Sequence, residues 1–195
     1  MHPNNTNPPP HRRSFLKWAT HGLGVLFGAL LGIPAVAYLI DPRNRPAPTN
    51  DFQTVARLSE LRKSVPHQVV IRDIRQDAWT LHPNDVIGRV WLVRGDGDKV
   101  DAFTTICPHL GCSVNFEAKE NLFLCPCHGG TFLLNGQRKE LTERTNPAPR
   151  GMDKLAVKTS EDPDPSHLVD GKRDTLVAVK YQNFIQGKEI PILKG

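Results

Sequence analysis

The sequence predicts an antiparallel all-β domain preceded by one N-terminal transmembrane helix. Two features predict this fold class. From His67 onward, short runs of β-branched and aromatic residues alternate with turn signals, and ahead of them Gly22 to Ile40 forms an apolar stretch of nineteen residues without a charge. A third feature places the chemistry: all four cysteines lie between Cys107 and Cys127, inside the β region.

Residues 1–13 read as a polar, proline-rich tail that ends in the start of an export signal. Arg12-Arg13-Ser14-Phe15-Leu16-Lys17 resembles the twin-arginine signal, which serves export of proteins already folded. Residues 14–40 read as the membrane anchor, since the apolar run is close to the ~20 residues needed to cross a bilayer. Its glycines and Pro34 are tolerated in such a helix. Ala35-Val36-Ala37 has the small-x-small form of a cleavage site, so a cleaved signal peptide is the competing reading. The export signal sets the orientation: N-terminus in the cytoplasm, residues after Asp41 on the periplasmic or outer side of a bacterial cytoplasmic membrane.

Residues 41–64 read as a linker followed by a short helix. Asp41 to Asn50 holds three prolines in ten residues and is extended and semi-rigid. Phe52, Val55, Leu58 and Leu61 recur at spacings of three, which predicts a short amphipathic helix over 51–64. Residues 65–195 form the β domain. Runs at 68–71, 90–93 and 102–106 read as strands, with Gly95-Asp96-Gly97 as the turn between the second and third. Leu122 to Leu124 leads into Cys125, and Thr131 to Leu134 ends at an Asn135-Gly136 turn. Late strands at 155–158 and 175–181 flank an acidic, proline-containing loop over 160–174.

The charge excludes one class of partner. Of the formal +5, residues 1–50 carry Arg12, Arg13, Lys17, Arg43 and Arg45 against Asp41 alone, while the other 145 residues hold 20 basic and 19 acidic side chains. The globular part is nearly neutral, so nucleic-acid binding is not indicated. Clustered cysteines, with a pair available for a disulfide, suggest an oxidising compartment. His2, His11, His21, His67, His82 and His167 stand in no ligand spacing.

The chemistry-bearing stretch is Cys107-Pro108-His109-Leu110-Gly111-Cys112, twelve intervening residues, then Cys125-Pro126-Cys127-His128-Gly129-Gly130-Thr131-Phe132. Four sulfurs and two imidazoles are two ligands too many for one tetrahedral zinc. The count fits an iron–sulfur centre with four protein ligands and two cysteines left over. Both boxes resemble those of the Rieske iron–sulfur proteins, in the disulfide-containing form found in quinol–cytochrome c oxidoreductases, the cytochrome bc complexes. Soluble Rieske ferredoxins lack the second cysteine of each box, which here is Cys112 or Cys127.

That resemblance implies one [2Fe–2S] cluster with Cys107 and Cys125 on one iron and His109 and His128 on the other. It implies a disulfide between Cys112 and Cys127, and a Rieske-type β domain with the cluster-binding loops at one tip. It also implies a function: the electron-transfer subunit of an oxidoreductase, which oxidises a membrane quinol and passes the electron to a c-type cytochrome, with proton release outside. His109 and His128 would be the catalytic contacts. The implied partners are a cytochrome b subunit, a c-type cytochrome subunit, membrane quinol and the lipid bilayer. In such proteins the 41–50 segment is a hinge, and Asn146-Pro147-Ala148-Pro149-Arg150-Gly151 resembles the proline loop that covers the cluster. A second function in another class is the Rieske small subunit of a periplasmic molybdenum oxidase, similar to arsenite oxidase, which needs neither span nor hinge. High-potential members carry a serine and a tyrosine two and four residues after the second histidine. Gly130 and Phe132 stand there in this chain, which points to a lower potential and to menaquinol as the donor.

The export reading predicts that Arg12-Arg13→Lys-Lys stops export and leaves cluster assembly intact. Fractionation of cells expressing the variant checks this, and normal amounts of the domain on the outer face would contradict it.

Overall fold

A computed structural model describes residues 11–40, 51–77, 80–142 and 145–194. The expected tail at 1–10 and the proline linker at 41–50 lie outside the described residues. Helix α1, His11–Ile40, has 30 residues and no buried side chain. At 1.5 Å per residue it is about 45 Å long, more than the ~30 Å apolar thickness of a bilayer. Among the described residues it is the one helix long and apolar enough to cross a membrane. It begins before the expected anchor and takes in the paired arginines.

The β domain is built on strands β1 (Phe52–Arg57), β2 (His67–Asp77), β3 (Thr80–Arg94), β4 (Val100–Thr104), β5 (Asn115–Glu117), β6 (Leu122–Leu124), β7 (Thr131–Phe132), β8 (Lys154–Glu161), β9 (Leu168–Val169), β10 (Lys172–Arg173) and β11 (Thr175–Lys180). Six of them form one sheet in the order β1-β11-β8-β4-β3-β2, and β5-β6-β7 form a second, small one. The all-β expectation holds. The expected turn at Gly95-Asp96-Gly97 joins β3 to β4, which pair antiparallel from Val90↔Thr104 to Arg94↔Val100.

The β3–β4 hairpin positions the site because both of its faces are buried. Val90, Leu92, Val100 and Ala102 point into a core shared with Ile71, Leu155, Val177 and Val179. Trp91, Val93 and Phe103, on the opposite face, point into a second core with Val114, Phe123, Phe132, Cys107 and Cys125. Side chains alternate along a strand, so one hairpin feeds two cores. The Trp91 indole donates to the Val114 carbonyl at 2.9 Å, and its ring packs against Phe123 and Phe116 at centroid distances of 5.5 and 6.4 Å.

The short helix expected over 51–64 is not formed. Residues 52–57 are strand β1, paired antiparallel with β11, followed by a single 3₁₀ turn at Leu58–Glu60. The spacing of three has two other causes. A bulge between Thr54 and Ala56 resets the strand parity, so Val55 and Ala56 both pack on the main core. Leu58 and Leu61 then face the same core because a 3₁₀ turn has three residues per turn. The acidic 160–174 segment is also more ordered than expected: it holds the β9–β10 hairpin. Arg57 Nε donates to Asp162 at 2.8 Å, His167 Nδ1 lies 3.0 Å from the same oxygen, and the hydrogen bond from Arg57 holds the Asp162 carboxyl below its ordinary pKa.

Two glycines separate the cost of backbone strain from the cost of crowding. Gly97 and Gly136 have φ of +64° and +81°, a region L side chains avoid. A Cβ on Gly97 would meet nothing within 4 Å, whereas one on Gly136 would collide with the Phe103 ring. Gly97→Ala is therefore expected to cost about 1 kcal/mol, and Gly136→Ala roughly 2–4 kcal/mol. Denaturant unfolding of both variants checks the difference.

Candidate metal centre

The two cysteine-histidine boxes fold into loops of the same backbone design. In the first, the Cys107 N–H donates to the Cys112 carbonyl at 2.7 Å and the Gly111 N–H to the Cys107 carbonyl at 3.0 Å. In the second, the Cys125 N–H donates to the Gly130 carbonyl at 2.8 Å and the Gly129 N–H to the Cys125 carbonyl at 2.9 Å. Each loop thus closes on its leading cysteine, and a glycine four residues on takes the positive φ that the closure needs: +84° at Gly111 and +69° at Gly129. β4 delivers the chain to the first loop, and β6 to the second.

The loops bring together the residues expected from the sequence. Cys107 and Cys125 are 1% and 2% exposed, and both belong to the same buried core. Burial pushes the Cys107 thiol up to about 11, against the pull of the His109 and Leu110 backbone N–H groups that point at its sulfur. The imidazoles of His109 and His128 stand edge to face, centroids 4.9 Å apart, and His128 is exposed. Cys112 and Cys127 form the expected disulfide, with Cα atoms 6.5 Å apart. Their sulfurs and that of Cys125 lie within 4.8 Å of one another.

The donor set fits a two-iron cluster. Two soft thiols on the dry side and two imidazoles on the wet side are the mixed set such a cluster takes, and backbone N–H groups already face one sulfur. Because ligation requires thiolate, Cys107 would have to give up, on holding iron, the proton that burial otherwise retains.

Asn146 to Gly151 packs beneath the second loop. Ala148 belongs to the core that holds both thiols. Asn146 is buried; its Nδ2 donates to the Thr131 carbonyl at 2.6 Å, and its Oδ1 accepts from the Ala148 N–H at 3.0 Å. The Thr131 hydroxyl donates to the Lys139 carbonyl at 2.7 Å, so it does not stand in for the hydroxyls missing at Gly130 and Phe132. A Cβ on Gly130 would meet its nearest neighbours, Asn146 Oδ1 and the Phe132 ring, at 3.5 and 3.6 Å, ordinary contact distances.

Sequence reasoning did not anticipate the segment after β11. Residues 183–194 fold back so that the Gly187 N–H donates to the Pro108 carbonyl of the first loop at 2.8 Å. The Arg150/Asp153 pair that seats this segment could have been suspected from its charge and spacing; the segment's own contacts are made through main-chain carbonyls and leave no mark in the sequence.

Comparison with known proteins agrees with this geometry. Residues 51–159 match the model of the Rieske [2Fe-2S] domain. The menaquinol:cytochrome c reductase iron-sulfur subunit of Bacillus subtilis is 31% identical over 128 residues, 64% of this chain and 74% of that protein. The corresponding subunit of Geobacillus thermodenitrificans is 28% identical over 71% of this chain and 82% of its own. The cytochrome b6-f complex iron-sulfur subunit of Chlorobaculum thiosulfatiphilum is 30% identical over 65% of this chain and 61% of its own. Two buried thiols, two paired imidazoles and a disulfide between the loops, on a sequence with these relatives, have one common description: the chain belongs to the Rieske [2Fe–2S] iron–sulfur family, carries one such cluster, and resembles within that family the iron–sulfur subunits of bc-type complexes.

Proposed function

We propose that this chain is the membrane-anchored electron-transfer subunit of a quinol–cytochrome c reductase that oxidises menaquinol, with its globular domain on the outer side of the membrane. The observation that carries the reading is the asymmetry of the site, which buries both thiols while His109 is half-buried and His128 exposed. Cys107 and Cys125 hold one iron of the cluster, and His109 and His128 the other. The cluster supplies a one-electron acceptor.

The remaining steps belong to the protein. An imidazole nitrogen not engaged in ligation accepts a hydrogen bond from the quinol hydroxyl and then holds the proton that leaves with the electron. Leu110 and Pro126, both exposed, give the imidazoles an apolar rim suited to a lipid-soluble donor. The disulfide and the core beneath keep water from the sulfur side. Export through the paired-arginine signal, anchoring by α1 and travel on the 41–50 linker complete the reading: the domain meets quinol beside a cytochrome b subunit and gives its electron to a c-type cytochrome.

Membranes from a producing strain test this directly. A Rieske-type EPR signal that stays with the membranes through a high-salt wash and copurifies with b- and c-type haem is expected; release as a soluble molybdenum protein would overturn the assignment.

The choice of menaquinol rests on potential. A donor to cluster sulfur stabilises the more negative, reduced state, and neither Gly130 nor Phe132 offers one from its side chain. If each bond is worth about 1 kcal/mol more in the reduced state, each absence lowers the potential by about 45 mV. Together the two place the cluster roughly 100 mV below a high-potential relative. Gly130→Ser with Phe132→Tyr is expected to raise the potential by about that amount in an EPR titration. A value that stays put or falls would remove the argument for menaquinol.

A further inference from the structure

Arg150 and Asp153 form an ion pair that the electron-transfer reading does not use. Their side chains are 7% and 2% exposed, and Nε and Nη2 of Arg150 donate to the two carboxylate oxygens at 2.7 and 2.8 Å. Such a pair is a poor source of stability, because desolvating two charges offsets their attraction. Its geometry has another consequence. Nη1 donates to the Lys188 carbonyl at 2.6 Å and Nη2 to the Ile185 carbonyl at 3.0 Å. The Asp153 carbonyl accepts from the Thr104 N–H at 3.0 Å, at the end of the strand that leads to Cys107.

The turn wrapped on this guanidinium meets the first ligand loop. The Gly187 N–H donates to the Pro108 carbonyl, and Gly187 has φ of +72°; a Cβ there would lie 3.8 Å from the His109 carbonyl oxygen. The Gln186 side chain lies beside Gly111, 3.7 Å from where its Cβ would be. The segment closes on itself through Ile185 N–H to the Ile192 carbonyl and Lys194 N–H to the Asn183 carbonyl, each 2.8 Å. Pro126, at the matching place of the second loop, is exposed.

We infer that Arg150 is a positioning residue for His109: through the 185–188 turn it fixes the Pro108 carbonyl, and with it the direction in which the first loop presents its imidazole. A guanidinium suits this task because its planar fork engages a carboxylate and two carbonyls at once, which an ammonium cannot do in one plane. The inference rests on the proposed ligand role of His109.

The test compares the full-length protein with Arg150→Gln, Arg150→Lys and Gly187→Pro, and with Arg57→Gln as a control. Arg57 pairs with Asp162 just beyond the end of β8, whereas Asp153 immediately precedes its start. Two quantities are read below the unfolding temperature: the g-values of the reduced cluster, and the rate of iron release to bathophenanthroline. Arg150→Gln and Gly187→Pro are expected to shift the g-values and speed iron release about tenfold, with Arg150→Lys between them and wild type. Arg57→Gln is expected to lower the Tm while leaving both quantities at the wild-type value. Should Arg150→Gln fail to accumulate, Gly187→Ala, which keeps the N–H but strains the positive φ, is read in the same way. Wild-type g-values and release rates in the cluster-bearing variants would overturn the inference, as would an equal shift in Arg57→Gln. Absence of a Rieske-type signal from the wild-type protein would instead sink the cluster reading itself.

Discussion

Two thiols that cannot reach water constrain the architecture around the ligand loops. Cys107 and Cys125 sit in a core of Phe123, Phe132, Val114 and Ala148. A thiolate there is costly without a cation beside it, which is why burial pushes the Cys107 thiol up to about 11. A cluster held by these two cysteines would offset that cost, since iron would take the sulfur charge and the apolar wall would keep water from competing for the metal. The same wall forces the asymmetry of the site. With the sulfur side closed by aromatic rings, the open side of the site is the one that carries the exposed His128 imidazole.

A sealed sulfur side needs rigid backing, and the small sheet cannot supply it alone. β5, β6 and β7 have three, three and two residues, lengths that give little independent stability. The backing comes from the β3–β4 hairpin, whose outer residues Trp91, Val93 and Phe103 belong to the small core while their neighbours belong to the large one. Loosening either core therefore loosens both. The disulfide adds a covalent tie between residues 15 apart in sequence, a closure worth roughly 3 kcal/mol by loop entropy. It ties the two loops directly, on the side of Cys125 where the thiol core ends.

What was legible in the sequence was local. The turns at Gly95-Asp96-Gly97 and Asn135-Gly136 depend on residues within a few positions of one another and are formed, and the Cys112–Cys127 disulfide that the resemblance implied is formed as well, although its cysteines are 15 residues apart. The apolar helix was legible from composition alone. Strand β1 was misread because a bulge followed by a 3₁₀ turn imitates helical spacing at Val55, Leu58 and Leu61, and only the pairing with β11, more than a hundred residues later, decides between them. The hairpin within 160–174 was hidden by its acidic composition, since Asp162 and Asp174 are buried through partners as distant as Arg57 and Ser59. The turn at 185–188 was hidden more completely. Its contacts to Arg150 and Pro108 use carbonyl oxygens and a backbone N–H, groups that every residue carries.

The two ligand loops share one backbone frame and differ in what they hang on it. In both, a cysteine opens the loop, a proline follows it, and a glycine four residues on closes it. The third position carries His109 in one loop and Cys127 in the other, while His128 is one residue further along. The two histidines are thus offset by one position; their rings stand edge to face at 84°, and Cys127, at the place that His109 holds in the first loop, is bonded to Cys112. Neither imidazole takes part in the backbone hydrogen bonds that close the loops. Both therefore remain available for ligation.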